Sequence, residues 1–220
     1  MPPERSAILW FDRIRRQGLP LLAEVADELL KFSDITALHC AIQRCCGLIS
    51  FHAPTARGAL SDFSRDSLRR AVIDHSDSCG VAEAAREIRP GRAAGRLAGG
   101  NLALVAALVG TRFAADLTDS IVVLEDVNEP LYKVDRMLQQ LLLAGAFTAC
   151  RAIVVGDCSS GEKDESTTGL DQLLGSFAER LRLPCLAGIP LGHIPDQWTI
   201  PLGAQATLDT GERSLHVTLQ

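Results

Sequence analysis

The chain has 220 residues, of which 47% are apolar and 22% charged, and it carries a net charge of −5. This length predicts one large or two small domains with a buried core, and the composition is typical of a soluble globular protein. The negative charge, and the lack of a basic stripe interleaved with aromatic residues, argue against a general binder of nucleic acid or anionic membranes.

Seven cysteines are scattered along the chain and form no CxxC pair. Neither a zinc site of the usual spacing nor a disulfide scaffold is therefore expected. We predict reduced thiols in a cytoplasmic protein. The N-terminus lacks the apolar run of a signal peptide, and no stretch of about 18 apolar residues predicts a transmembrane helix.

The first part of the chain predicts alternating strands and helices. The predicted elements are a strand at 7–11, a helix at 20–30, a helix at 34–46 ended by Gly47, a strand at 48–51 and a helix at 64–72. Ser33 lies between an apolar stretch and a helix, which is the layout of a nucleophile elbow. The same serine, with Asp34, also suits a plain helix N-cap, and the local sequence taken alone favours the cap.

A polar, irregular stretch at residues 74–92 predicts a domain boundary at about residue 78. Residues 91–100 contain four glycines and predict a turn that opens a helix at 101–109. Such a turn can present N–H groups to an anion, but GxGxxG and a Walker-type lysine are both missing, so it is weak support for a nucleotide site. The later predicted elements are a strand at 121–124, a helix at 132–147, a strand at 152–155, a helix at 170–183, a strand at 184–190 and a C-terminal hairpin.

The strand at 121–124 is the most informative of these elements. It consists of Ile, Val, Val and Leu, and it ends in Glu125 and Asp126, with Glu129 close behind. Carboxylates at the C-terminal end of a buried strand lie where open α/β sheets place their sites. A solvated turn and an oxygen-ligated metal site are the alternative interpretations of this acidic cluster.

Four segments in order resemble one known family: SDITALH from Ser33, GGNLALVAALVGT from Gly99, IVVLEDVNEPLYKVDRML from Ile121, and PLGH from Pro190 with WTIPLGAQATLD. Together they are similar to the LD-carboxypeptidases, serine peptidases that include muropeptide carboxypeptidases and microcin C self-immunity proteins. The resemblance implies a Ser–His–Glu triad with no metal or organic cofactor. Ser33 matches the nucleophile, Glu125 the acid and His193 the base.

The other four histidines match that base less well. His39 lies within the helix after Ser33, and His52 lies where the family also has a histidine beside a proline. His75 falls in the polar segment and His216 in the terminal hairpin. These positions favour structural or surface roles, and for His52 support of either the fold or the site.

Two features depart from the family pattern. The family carries an Arg-Gly-Gly-Tyr-Gly-like loop upstream of the serine, where this chain reads WFDRIRRQG. The glycine and aromatic residue that directly precede the family's serine are replaced by Lys31 and Phe32. Most of the family's first βα portion is therefore predicted to be missing.

The resemblance implies an α/β fold in two parts. Residues 1–78 would form a shortened Rossmann- or flavodoxin-like nucleophile domain, and residues 79–220 a C-terminal domain of the swivelling β/β/α type. The implied activity is hydrolysis of an L-to-D peptide bond, which would release the terminal D-alanine of a murein tetrapeptide in peptidoglycan recycling. The resemblance also implies a homodimer. Two alternatives stay open: a truncated, inactive homologue that binds a peptide or a partner subunit, and a serine hydrolase that gives self-immunity to a peptidyl-nucleotide antibiotic.

Overall fold

A computed structural model of the chain describes residues 35–54, 59–158 and 167–219. The strand and helix predicted before residue 31 lie outside the described residues, as does Ser33. The predicted α/β class is confirmed. The elements are α1 (Thr36–Cys46), β1 (Ser50–His52), α2 (Asp62–Val72), β2 (Gly80–Val81), β3 (Arg86–Arg89), β4 (Arg92–Asn101), α3 (Leu102–Ala107), β5 (Ser120–Glu125), α4 (Leu131–Leu143), β6 (Ala152–Val155), α5 (Thr167–Leu181), β7 (Cys185–Ala187), β8 (Ile200–Leu202), β9 (Gln205–Asp209) and β10 (Ser214–Thr218).

The main sheet has eight strands in the order β2-β10-β9-β4-β5-β6-β7-β3. Strands β4, β5, β6 and β7 run parallel to one another. The remaining four strands pair antiparallel with their neighbours and flank this parallel centre. A separate antiparallel pair joins β1 to β8 and places His52 opposite Ile200.

The main sheet is strongly curled. Eight strands laid flat would place the two outermost strands about 34 Å apart, because neighbouring strands are about 4.8 Å apart. Those outermost strands are β2 and β3, and residues 82–85 alone connect them. A connection this short spans at most about 18 Å, so the sheet must curl to bring β2 and β3 within its reach. The Thr210 hydroxyl, at the turn between β9 and β10, also donates a 2.7 Å hydrogen bond to the Glu87 carboxylate in β3.

Alternate residues of the central strands pack into two separate cores, as expected for a sheet covered on both faces. Ile121 and Val123 point to the inside of the curl, where they join a cluster that contains the fully buried Trp198. Val122 and Leu124 point outwards, into the core formed with helices α3, α4 and α5. None of the helices in the described part of the chain is long and apolar enough to cross a bilayer.

Most predicted elements that fall in the described ranges are present, with ends shifted by a few residues. Strand β6 has the predicted bounds, whereas α4 ends at Leu143 rather than at residue 147. Gly47 ends α1 as predicted, with a left-handed φ of 65°. The strand predicted at 48–51 is instead Ser50–His52.

The prediction of a glycine-rich turn at residues 91–100 is wrong, because those residues belong almost entirely to the ten-residue strand β4. Its glycines allow close backbone approach instead. A Cβ atom at Gly99 would lie 2.1 Å from the carbonyl oxygen of Val123, and one at Gly95 would lie 2.5 Å from that of Asp119. The segment predicted to be irregular, 74–92, likewise contains the two short edge strands β2 and β3.

Candidate active site

Polar side chains collect where the parallel strands end. Strand β4 ends at Asn101, which pairs in register with Glu125 at the end of β5. Asp157 follows β6 by two residues, and the loop after β7 leads to His193. Since the carboxyl ends of parallel strands meet at one edge of the sheet, the four side chains share that edge, where α/β proteins usually bind ligands.

Glu125 is a buried carboxyl group at this edge, with 0% of its surface exposed. Among the described residues, no donor meets either of its oxygens in hydrogen-bond geometry. Burial raises the pKa of Glu125 to about 7, opposed by the nearby Asn101 side chain and assisted by the charges of Asp126 and Asp157. The group therefore titrates close to neutral pH, and such strongly perturbed groups cluster at functional sites.

The loop that carries His193 is tied to the ends of β5 and β6. The Asp157 N–H donates to the Leu191 carbonyl at 2.7 Å, and the Asp126 N–H donates to the Asp157 carbonyl at 3.0 Å. Gly192 has a φ of 110°, and a Cβ atom there would lie 3.1 Å from the Asp157 Cβ and 3.4 Å from the Glu125 Cβ. The residue next to His193 is thus packed directly against the acid, while the imidazole is exposed to solvent.

Helix α2 holds the other side of the same loop. The Ser64 hydroxyl donates to the Pro195 carbonyl at 3.1 Å and accepts from the Gln197 N–H at 2.8 Å. The Ser67 hydroxyl accepts from the Thr199 N–H at 2.8 Å. Hydrogen bonds on both flanks therefore limit the positions that His193 can take.

Two further imidazoles lie close to each other on neighbouring elements. His39 on α1 and His52 on β1 are both buried, with ring centroids 6.3 Å apart. Burial, with smaller contributions from the electrostatic influence of His39 and His193, lowers the pKa of His52 to about 3. His52 is therefore neutral at physiological pH.

The rest of the acidic cluster is occupied by structural contacts. Asp126 is buried and accepts hydrogen bonds from the Asn101 side chain at 3.1 Å, the Ala103 N–H at 3.0 Å and the Val127 N–H at 2.9 Å. The Glu129 carboxylate pairs with the Lys133 ammonium at 3.0 Å. The described residues contain no group of three or more ligands arranged to hold a metal ion. The metal alternative therefore finds no support in the geometry of these side chains.

Of the three residues that the resemblance assigned to the triad, Glu125 and His193 lie on adjacent parts of one sheet edge. Ser33 lies just before α1, outside the described residues. Sequence reasoning did not single out Asn101 or Asp157 as site residues. Each follows the apolar end of a strand, as Glu125 does, and that shared pattern could have indicated both.

Comparison with known proteins decides the family. Residues 94–208 match the LD-carboxypeptidase C-terminal domain. The chain belongs to the LD-carboxypeptidase family.

Relatives within the LD-carboxypeptidase family cover most of this chain. A probable murein peptide carboxypeptidase of Bacillus subtilis is 32% identical over 83% of this chain and 60% of its own length. The crystal structure of muramoyltetrapeptide carboxypeptidase from Oxalobacter formigenes superposes with a TM-score of 0.73 at 28% identity, over 86% of this chain and 67% of that one. The microcin C7 self-immunity protein of Escherichia coli is 26% identical over 59% of this chain and 38% of its own length. The chain thus spans about 60% of the length of the first of these relatives.

Proposed function

We propose that this LD-carboxypeptidase family member is a serine-type hydrolase that removes the terminal D-alanine from murein tetrapeptides during peptidoglycan recycling. The observation that carries the proposal is Glu125, a buried carboxyl group packed against the residue before His193 and with a pKa raised to about 7. A buried acid beside an imidazole is what a serine nucleophile requires. Relatives named for murein peptides make an L-to-D peptide bond the best-supported substrate.

In the proposed reaction Ser33 attacks the carbonyl carbon of the L-to-D bond while His193 takes the hydroxyl proton. The C–N bond then breaks, and His193 returns the proton to the departing amine of D-alanine. Water attacks the remaining acyl-serine ester, giving its proton to His193, which restores it to Ser33. Glu125 in its ionised form stabilises the imidazolium in both halves of the reaction. Activity should therefore fall as the pH drops below about 7, because protonated Glu125 cannot fill this role.

The test is release of D-alanine from purified murein tetrapeptide by the parent and by His193→Ala. We expect the variant to lose on the order of 10⁴–10⁶-fold in kcat/KM. His216→Ala is the matched control, because His216 is an exposed histidine on β10 that pairs with Asp77. No release from folded parent protein would contradict the proposal and favour the inactive peptide-binding homologue.

The nucleophile is tested separately by labelling with a fluorophosphonate, which reacts with activated serine hydroxyls. We expect one labelled serine in the parent and none in Ser33→Ala. Labelling that persists in Ser33→Ala would assign the nucleophile to another residue.

A second candidate is self-immunity chemistry, hydrolysis of a peptidyl-nucleotide antibiotic. The similarity to the microcin C7 self-immunity protein supports it, although at lower identity and coverage than the similarity to the murein peptide relative. A panel that contains a murein tetrapeptide and an aspartyl sulfamoyl adenosine distinguishes the two. Turnover of the nucleotide alone would favour self-immunity.

We also propose the organisation and setting of the protein. Residues 1–78 would supply the nucleophile, and residues 79–220 the acid and base, which agrees with the position of the family match at 94–208. The seven cysteines are all free thiols, which suits a reducing cytoplasm. A homodimer is expected from the family resemblance, and light scattering coupled to size-exclusion chromatography would test it by a mass of twice 23.6 kDa.

A further inference from the structure

A chain of buried polar side chains runs from the first turn of α1 to the end of β5. Thr36, Asn101 and Asp126 have 0%, 3% and 4% of their surface exposed. The Thr36 hydroxyl accepts a 2.9 Å hydrogen bond from the Asn101 N–H. The Asn101 side-chain amide donates to Asp126 at 3.1 Å. Asn101 thus joins the first turn of α1, through its backbone N–H, to the residue that follows β5, through its side chain.

The Asp126 end and the Asn101 side chain in the middle of this line make further hydrogen bonds. One Asp126 oxygen also accepts from the Val127 N–H, and the other accepts from the Ala103 N–H in the first turn of α3. The Asn101 side-chain oxygen accepts from the Leu104 N–H at 3.1 Å. Hydrogen bonds to an ionised acceptor are roughly twice as strong as neutral ones, and satisfied buried networks hold a single geometry.

The backbone of β4 is packed so closely against Thr36 that α1 cannot move nearer to the strand. Gly100 has a φ of 132°, and a Cβ atom there would lie 2.6 Å from the Thr36 hydroxyl oxygen. Helix α1 therefore rests directly on the end of β4, and Asn101 pairs in register with Glu125 across the neighbouring strand. The position of α1 relative to the acid is set by direct contact.

We propose that the Thr36–Asn101–Asp126 line is a positioning device for catalysis, which holds α1, the helix that follows Ser33, at a set place relative to Glu125. The inference rests on the proposed function, since it gives these residues a role in that reaction. Thr36 and Asp126 act through Ser33 and Glu125 rather than by touching the reacting bond. A displacement of about 1 Å between catalytic groups can cost on the order of 10²-fold in rate.

Thr36 offers the first test, because valine has nearly its shape but lacks the hydroxyl. Thr36→Val removes the acceptor of the Asn101 N–H, and Thr36→Ser keeps it. We expect Thr36→Val to lower kcat by about 10²-fold, with KM little changed, and Thr36→Ser to retain most of the parent rate. Thr148→Val is the matched control, since the Thr148 hydroxyl bonds only its own turn, at Gly145.

Each rate is expressed per active site, counted by titration with a fluorophosphonate. A merely structural role for Thr36 would reduce the number of titrated sites and leave kcat per site unchanged, which would overturn the proposal. Where no peptide turnover can be measured, the rate constant of serine phosphonylation in parent and variants gives the same comparison. Failure of the proposed function is seen separately, as absent D-alanine release by the parent.

Asp126 offers the second test. An amide has one acceptor oxygen, so Asp126→Asn cannot accept from both Asn101 and Ala103. We expect a loss of kcat per titrated site that Asp62→Asn, at an exposed carboxylate on α2, does not produce. If Thr36→Val yields no titratable protein, Asp126→Asn alone tests whether the Thr36–Asn101–Asp126 line positions the catalytic groups.

The pH profile of Asp126→Asn adds a readout that misfolding would not move. The Asp126 charge helps to raise the pKa of Glu125, and the charge of Asp157 does the same and is unchanged in the variant. With Asn101 kept in place by the remaining side-chain oxygen, removal of the Asp126 charge lowers the pKa of Glu125, and we expect the acidic limb of kcat/KM to move to lower pH. An unshifted limb together with parent-like kcat per site would overturn the inference.

Discussion

Glu125 is expected to destabilise the folded protein as the pH rises, even though the proposed reaction needs it ionised. Burial raises its pKa from an ordinary value of 4.5 to about 7. Between these two values the folded state keeps a proton that the unfolded state has released. The contribution of this carboxyl group to stability is therefore fully present below pH 4.5 and is lost as the pH rises through about 7.

The expected size follows from the two pKa values. One pKa unit corresponds to about 1.4 kcal/mol, so the difference between 4.5 and about 7 amounts to about 3 kcal/mol by pH 8. This is a large share of the 5–15 kcal/mol that typically separates folded from unfolded domains. Glu125→Gln has nearly the same shape and carries no charge at any pH. It should therefore gain stability over the parent by about 3 kcal/mol between pH 4.5 and pH 8 while losing about 10⁴-fold in kcat.

The assay is urea unfolding of parent and variant at several values between pH 4.5 and pH 8. The difference between the two free energies of unfolding isolates Glu125, because the other titrating groups are common to both proteins. Glu83→Gln, at an exposed carboxyl group, is the matched control for the loss of a carboxylate. A Glu125→Gln difference that is the same at pH 5 and pH 8 would refute the reasoning, since the carboxyl would then be ionised in the folded state throughout.

Three further predictions concern the loop at the site, the helical core and the buried imidazole. Gly192→Ala should lower kcat/KM by about 10²-fold, because its Cβ atom would lie 3.1 Å from the Asp157 Cβ, at a φ of 110°, and would displace the loop that carries His193. Gly110→Ala, at a left-handed φ of 82° with open space around it, should leave kcat/KM unchanged. Leu138→Ala should lower the free energy of urea unfolding by about 2–5 kcal/mol because the side chain is fully buried, whereas Leu143→Ala, 82% exposed, should change it by less than about 0.5 kcal/mol. The pKa of His52 is about 3 in the folded protein and 6.5 in its ordinary state. The unfolded state therefore binds a proton at a higher pH than the folded state does. Below pH 6.5 the parent loses up to about 1.4 kcal/mol of stability per pH unit. Unfolding curves of His52→Gln at pH 6.5 and pH 4.5 should show a smaller loss, and an equal loss would contradict this assignment.

The parts of the fold that could be predicted are those with a strong local signal. Strands β5 and β6 are continuous apolar runs because both of their faces are buried, and their ends fall within a residue of the prediction. Strand β3 was missed because an edge strand carries charged side chains, here Arg86, Glu87 and Arg89, which resemble a loop. Strand β4 was interpreted as a turn because its glycines are required by close contacts with residues that are distant in the chain, which the local sequence does not show.

For the candidate site too, local patterns could be predicted and contacts between distant segments could not. Glu125 is a candidate because a carboxylate directly follows an apolar strand, which is a local pattern, and the family resemblance assigns it the role of the acid. The packing of Gly192 against that acid, and the bond between the Asn101 N–H and Thr36, join residues more than sixty positions apart. No pattern within one segment encodes such contacts, since they arise only when the parallel strands bring their ends together.

The strand order of the curled sheet has a consequence for synthesis on the ribosome. Strand β10, at the end of the described chain, pairs with both β9 and β2, and β2 starts at residue 80. Contacts between such distant residues slow folding because a long loop must close before they form. Until Ser214–Thr218 has left the exit tunnel, the edges of β2 and β9 have no partner from β10 and are open to strands of other chains. The sheet that carries the proposed acid and base is therefore completed only after β10 has been synthesised.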